Sequence, residues 1–200
     1  MKKRMSRRGI LKFGAAGLLA LLAAPVLGMT VGHAEEAGMS ESKVLVVYYS
    51  RSGNTGEIAG QIRELTGGAV VRLETVQPYP DEYQATTEQA RRELDSGFRP
   101  ALKTTVADLD AYDVVLIGSP NWWGTVATPV MTFLDDHDLS GKAVAVFITH
   151  EGSGLGRSVE DLRAFCPKST IMEGFAVRGR NVAGARDEVA AWLRKLKIIN

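Results

Sequence analysis

The chain has 200 residues, of which 45% are hydrophobic and 24% charged, a composition that excludes a disordered or fibrous protein. Six of the 24 basic residues lie within residues 1–34, which hold no acidic residue, so residues 35–200 carry 18 basic and 23 acidic residues, a net charge of −5. This balance argues against nucleic acid as the main partner, and the single cysteine, Cys166, excludes an intramolecular disulfide and a cysteine-built metal or iron–sulfur site.

Residues 1–34 have the pattern of an N-terminal export signal. A basic segment precedes a 15-residue apolar run at 13–27, and Gly32-His33-Ala34 places small residues at positions −3 and −1 of a cleavage site. The apolar run is shorter than the roughly 20 residues of a membrane-spanning helix. An uncleaved anchor is therefore the lesser alternative, and it is the only membrane link that we expect.

Within the basic segment, Ser6–Lys12 closely resembles the twin-arginine export signal, with Ile10 where that motif usually has Phe. The resemblance implies a periplasmic or otherwise extracytoplasmic protein that folds, and acquires any cofactor, before export. We expect residues 1–34 to be a signal peptide, residues 35–42 a short polar linker and residues 43–200 one domain.

Strand-like and helix-like segments alternate after the linker. The predicted strands are residues 43–49, 69–74, 114–117, 143–148 and 170–177. The predicted helices fall at residues 54–65, 83–94, 128–134, 159–165 and 189–196. The second helix has one weakly apolar face, formed by Tyr83, Thr87, Ala90 and Leu94. Five strands separated by helices predict an α/β fold with a parallel sheet, whose ligands bind beyond the carboxyl ends of the strands.

The segment after the first strand is the first candidate binding loop. It consists of Ser50, Arg51, Ser52, Gly53, Asn54 and Thr55. Its hydroxyls, a flexible glycine and the amides of a helix start together favour a phosphate site. The alternative is that Ser52 or Asn54 merely caps the helix, and this loop alone does not decide between the two.

The segment after the third strand is the second candidate loop. It consists of Ser119, Pro120, Asn121, Trp122, Trp123 and Gly124. Two adjacent tryptophans cannot both enter one core, so at least one is expected to offer a flat stacking face to a ligand. The alternative is that one packs beneath the loop and the other lies at a protein interface.

The segment after the fourth strand is the third candidate loop, and it begins with Thr149, His150, Glu151 and Gly152. Three glycines between residues 152 and 156 let the backbone approach a planar ligand. A lone histidine such as His150 is more often an ordinary polar residue than a catalytic one, and two histidines after the leader do not make a metal site. We assign no catalytic residue and no metal ligand, and we expect Cys166 to be a small buried residue.

Together these loops resemble the flavodoxin family. Val46–Thr55 is similar to the family segment that wraps the phosphate of FMN, and Trp122-Trp123 with the glycine-rich third loop match the segments flanking the isoalloxazine ring. The similarity extends from about residue 43 to residue 178. It implies a flavodoxin-like three-layer sandwich, a five-stranded parallel sheet in the order 2-1-3-4-5, and FMN held by the residues of the three loops.

The third loop departs from the family pattern. Many flavodoxins hold the flavin between a Trp and a Tyr, whereas no aromatic residue lies between Thr149 and Gly156 here. The second face of the ring then falls to His150, to a backbone turn, or to Tyr79 or Tyr83. Electron-carrier flavodoxins are also often more acidic than this chain.

The resemblance implies a protein that transfers electrons through bound FMN. The first expectation is an electron carrier between redox partner proteins. The alternative is an FMN-dependent reductase of quinones or nitro compounds, with a quinone-type small molecule as partner. A third, lesser alternative is a module that binds another phosphate ligand without redox chemistry.

Overall fold

A computed structural model describes residues 43–200, so the predicted signal peptide and linker lie outside the described residues. The strands are β1 Val44–Tyr48, β2 Ala69–Arg72, β3 Val114–Trp122, β4 Thr125–Val126, β5 Ala143–His150, β6 Thr170–Ile171 and β7 Phe175–Arg178. The helices are α1 Asn54–Thr66, α2 Tyr83–Ser96, α3 Thr128–Asp136, α4 Ser158–Phe165 and α5 Arg186–Lys195. None of these helices is both long and apolar enough to span a membrane.

The main sheet is parallel and runs in the order β2-β1-β3-β5-β6, with β7 pairing β5 beyond the end of β6. With β6 and β7 as two halves of the predicted fifth strand, this arrangement confirms the flavodoxin-like parallel sheet and closely follows the predicted order. The fifth strand is divided at residues 172–174. There the carbonyl of Glu173 accepts a hydrogen bond from Trp192 Nε1 (3.0 Å) instead of joining the sheet.

The third strand is longer than predicted and ends in a hairpin. It continues through the expected loop to Trp122 and turns back into β4, with Asn121 opposite Val126 and Trp122 opposite Thr125. Trp123 (φ 54°) and Gly124 (φ 89°) form the turn in the left-handed conformation. A tight hairpin whose twist matches its strands requires that conformation at both central residues.

Helices cover both faces of the sheet. Ile58, Ile62, Val189 and Leu193 of α1 and α5 are buried on one face. Val130, Phe133, Leu134, Leu162 and Cys166, from α3, α4 and the residue after α4, are buried on the other. Burial raises the pKa of the Cys166 thiol to about 11, as expected for a small core residue.

The buried face of α2 only partly matches the predicted one, since it shares Ala90 and the partly buried Leu94. Thr86, Ala90 and Glu93 are buried, whereas Tyr83 is 68% exposed. Glu93 is buried because its carboxylate has partners inside: Tyr79 and Thr128 donate to Oε2, and Gln89 donates to Oε1. Apolar periodicity cannot reveal a face that is buried by polar pairing.

Replacing Gly118 with alanine is expected to lower the free energy of unfolding by about 1–3 kcal/mol. A Cβ at Gly118 would lie 2.2 Å from Phe147 Cζ and 2.7 Å from Tyr48 Cβ. Gly60 is the matched control, since a Cβ there meets nothing within 4 Å and alanine favours a helix. Urea denaturation measures both variants, and an equal response would contradict the packing of β3 against Phe147.

Candidate functional site

A cleft of about 630 Å³ opens at the carboxyl ends of β1, β3 and β5. Ligand pockets typically measure ~300–1,000 Å³. The three candidate loops converge on it, as parallel strand ends require. Twelve of the sixteen predicted site residues line the cleft: Arg51, Ser52, Asn54, Pro120, Asn121, Trp122, Trp123, Gly124, Thr149, His150, Glu151 and Gly152.

The other four predicted residues, Ser50, Gly53, Thr55 and Ser119, are not among those that line the cleft. Ser50 Oγ accepts from the Gly53 amide (3.1 Å), and Ser119 Oγ accepts from the Ala127 amide (2.8 Å). Thr55 Oγ1 shares a 2.8 Å hydrogen bond with Thr149 Oγ1. These three hydroxyls therefore shape the loops, and Ser52 is the first-loop residue whose hydroxyl remains available to the cleft.

The start of α1 forms one end of the cleft. Gly53 is the residue before the helix, with φ 95°. No side chain among residues 43–200 caps the helix, so the structure does not show the capping alternative for Ser52 and Asn54. Gly53 carbonyl accepts from the Glu57 amide (2.9 Å), while the amides of the first helical turn have no intrahelical acceptor. Such amides, with the helix dipole, favour an anion.

The two adjacent tryptophans have different roles. Trp122 lines the cleft and also packs edge-to-face on Tyr49 (5.5 Å between centroids) and on Tyr79 (4.9 Å). Trp123 is 54% exposed, although its Nε1 donates to the Thr87 carbonyl (3.0 Å) and the Arg91 guanidinium lies 5.2 Å from its ring centroid. Trp123 therefore presents a fixed and accessible flat face.

Asn121 joins the second loop to the third, a role that the amino-acid sequence did not suggest. Its Oδ1 accepts from the Gly124 amide and its Nδ2 donates to the Gly154 carbonyl, both at 2.9 Å. The Arg157 amide adds a 2.8 Å hydrogen bond to the Gly124 carbonyl. The turn that carries Trp123 is thus held against the glycine-rich loop.

The wall formed by α2 was predicted only at Tyr83, the candidate for the second face of the ring. Tyr83, Thr86, Thr87 and Ala90 line it, and Ser153 extends the third loop. Arg51 crosses from the first loop to this wall, where its guanidinium lies 5.5 Å from the Tyr83 ring centroid and donates to the Asp81 carbonyl (2.6 Å). The signal in the sequence was Tyr83 itself, an aromatic residue at the start of the predicted second helix.

Tyr79 lies under the cleft rather than in it. Its hydroxyl donates to Glu93 (2.5 Å) and lies 2.9 Å from Thr128 Oγ1. Burial, followed by the hydrogen bond to Glu93, raises the pKa of this phenol strongly. Of the two tyrosines considered for the second face of a ring, the structure brings Tyr83 to the cleft.

His150 has a buried polar atom with no partner, since its Nδ1 makes no hydrogen bond within residues 43–200. Its pKa is lowered from the ordinary 6.5, first by burial and then by the positive charge of Arg178, against a weaker opposite effect of Glu151. The His150 residue lines the cleft, but this nitrogen is covered and does not itself face a ligand there.

We expect the free energy of unfolding to fall as the pH drops below about 6.5, because the folded protein binds the His150 proton less readily than the unfolded chain does. The substitution Arg178→Gln should raise the pKa of His150. An NMR titration of the imidazole protons measures it, and an unchanged pKa in the variant would show that Arg178 does not act on this ring.

Comparisons with known proteins agree with this architecture. The family model described as "Flavodoxin" matches residues 43–196. A protein of Azorhizobium caulinodans named NAD(P)H dehydrogenase (quinone) is 34% identical over 116 residues, which cover 53% of this chain and 55% of that protein. The chain thus spans about half the length of several of the curated relatives that it matches.

Two solved structures are also similar. A protein from Bacteroides eggerthii DSM 20697, provisionally named a flavoprotein, has 30% identity and a TM-score of 0.63 and covers 74% of this chain and 98% of its own. The Lactobacillus acidophilus NCFM flavoprotein, solved in complex with FMN, has 26% identity and a TM-score of 0.60, with 76% and 98% covered. From the parallel sheet and the match over residues 43–196, we conclude that the chain belongs to the flavodoxin family.

Proposed function

We propose that the chain binds FMN in the cleft and transfers electrons through it between redox partners. The observation that carries the proposal is that one cleft joins the amides at the start of α1 to the exposed ring of Trp123. Family membership supports it, as does the FMN complex of the Lactobacillus acidophilus flavoprotein.

The residues present fit the phosphate of FMN. Ser52, Asn54 and the amides of the first turn of α1 would hold it, and Arg51 contributes positive charge at the same end of the cleft. Gly53 allows the chain to enter the helix with φ 95°, which L side chains rarely adopt. Glu57, the acidic residue of that turn, accepts a hydrogen bond from Gln61 Nε2 (3.1 Å), one turn farther along α1.

The residues at the other end of the cleft fit a planar ring. The face of Trp123 would stack on it, while the imidazole of His150 and the backbone near Gly152 would meet its polar edge. Bound FMN supplies the electron chemistry that no side chain of the chain provides. The protein's own part is to bind, to orient and to exclude water.

A second candidate function is reduction of quinones or nitro compounds. Relatives of this chain are named NAD(P)H dehydrogenase (quinone), although the chain spans only about half of their length. No aromatic side chain of the third loop closes the cleft, and Tyr83 at its border is 68% exposed. An open face would admit a planar acceptor beside the ring.

Rapid-mixing experiments separate the two functions. FMN-loaded protein is mixed anaerobically with NADH or NADPH, and a second sample, reduced with dithionite, is mixed with a quinone. A carrier is expected to react with either nicotinamide no faster than free FMN does, whereas a reductase reacts faster with both nicotinamide and quinone. A protein that stays colourless after incubation with excess FMN would contradict both and favour another phosphate ligand.

We also propose that the protein is exported by the twin-arginine route. The support is the resemblance of Ser6–Lys12 to that signal and the apolar run that follows. Replacing Arg7 and Arg8 with lysine keeps the charge and is expected to retain the protein in the cytoplasm. Cell fractionation measures this, and unchanged export of the double variant would contradict the route.

A further inference from the structure

A second cleft, of about 430 Å³, lies at the carboxyl ends of β1 and β2. Tyr49 and Tyr79 line it together with three basic residues, Arg51, Arg72 and Lys103. Arg51 lines both clefts and therefore stands between them. Apart from Arg51, the proposed binding of FMN uses no side chain of this second cleft.

Tyr49 provides an unused hydrogen-bond donor in this cleft. Its side chain is only 8% exposed, and its ring packs edge-to-face on Tyr79 (5.9 Å) and Trp122 (5.5 Å). Its hydroxyl has no hydrogen-bond partner in the part of the chain that the structure describes. Burial raises the pKa of the phenol to about 12 although Arg51 and Arg72 oppose it, so the hydroxyl is a neutral donor at physiological pH. The ring is buried but the hydroxyl oxygen keeps access to solvent at the cleft, so a ligand there can accept its hydrogen bond.

Within residues 43–200, no ion pair neutralises the cations around Tyr49. Arg72 donates to the Ser50 carbonyl (3.3 Å), and the Lys103 amide donates to the Glu74 carbonyl (2.7 Å), which fixes both residues at the cleft. Glu74 and Asp81 also line the cleft, but neither forms an ion pair within residues 43–200. Arg72 and Lys103 therefore offer cationic groups to an anion, while Arg51 is shared with the first cleft.

We propose that this second cleft binds a phosphate group other than that of the flavin. The Tyr49 hydroxyl donates to one oxygen, and Arg72 and Lys103 bind the others, since a guanidinium matches two phosphate oxygens and an ammonium adds a point charge. The phosphate is either free or carried by a nucleotide, and the chemistry of the site is the same for both.

The test uses the full chain saturated with FMN, so that the amides of α1 are occupied. Inorganic phosphate is titrated in and followed by amide chemical shifts, which are expected to move at Tyr49, Arg72 and Lys103. Tyr49→Phe removes one hydroxyl without changing the ring and should weaken phosphate binding about tenfold. Lys103→Ser should weaken it similarly, whereas Arg63→Ser, the same loss of charge on the exposed side of α1, should leave it within about twofold.

Titration with NADPH identifies the source of the phosphate. Tighter binding of NADPH than of inorganic phosphate, weakened by Tyr49→Phe, indicates a nucleotide, whereas equal affinity indicates free phosphate. Equal affinity of the parent and Tyr49→Phe proteins for both ligands would overturn the proposal, as would shifts confined to residues 52–56. Flavin absorbance of the same samples reports separately on FMN binding. The phosphate proposal and the proposed function can therefore fail independently of each other.

Discussion

Replacing Gly156 with alanine is expected to weaken FMN binding by at least about tenfold and to lower the free energy of unfolding by about 1–3 kcal/mol. A Cβ at this position would lie 2.1 Å from the Gly124 carbonyl oxygen, the atom that also accepts from the Arg157 amide. The third loop would have to move away from the hairpin turn. Trp123, which that turn carries, would then lose its place in the cleft.

Gly154→Ala is the matched control for this variant. Gly154 has φ +62° and Gly156 has φ +54°, so alanine is strained at both positions, but a Cβ at Gly154 meets nothing within 4 Å. The difference between the two variants therefore isolates the contact between the loops. Equal FMN affinity in both, measured by flavin fluorescence titration, would show that this contact does not shape the site.

Replacing Trp123 with alanine is expected to weaken FMN binding roughly 10- to 100-fold, since stacking of a planar ring on an aromatic side chain contributes about 1–3 kcal/mol. The ring is 54% exposed, so its loss creates no cavity in the core. The free energy of unfolding is expected to fall by less than the free energy of FMN binding. Only the hydrogen bond to Thr87 and the contact with Arg91 are lost from the fold.

Trp123→Phe keeps an aromatic face and should retain most of the affinity for FMN. Phenylalanine lacks the indole Nε1, so the hydrogen bond to Thr87 is lost, as it is in Trp123→Ala. Isothermal titration calorimetry with FMN measures the three proteins. If the two variants weaken binding equally, Trp123 acts by positioning the turn rather than by stacking.

The strands and the positions of the loops could be predicted because they rest on local signals. Val114–Ile117 and Ala143–Ile148 are continuous apolar runs, which strands covered on both faces require. Because these strands run parallel, the segments that follow them lie at the same edge of the sheet, beyond the carboxyl ends of the strands. Twelve predicted residues accordingly line the cleft.

The extension of β3 and the burial of Glu93 on α2 could not be predicted, because distant partners determine both. Ser119, Pro120 and Asn121 are turn-type residues, yet Pro120 pairs with Thr149 in the sheet. Glu93 is a charged residue that would be placed outside, yet Tyr79 and Thr128 bind it inside. Neither partnership leaves a trace in the spacing along the chain.

The most direct measurement of the central claim compares the affinities of the full chain for FMN and for riboflavin, which lacks the phosphate. If the start of α1 holds that phosphate, FMN is expected to bind at least about 100-fold more tightly, because several charge-assisted hydrogen bonds are lost with it. Gly53→Ala should reduce this ratio by straining the turn that presents the amides. Equal affinities for the two flavins in the parent protein would contradict the account.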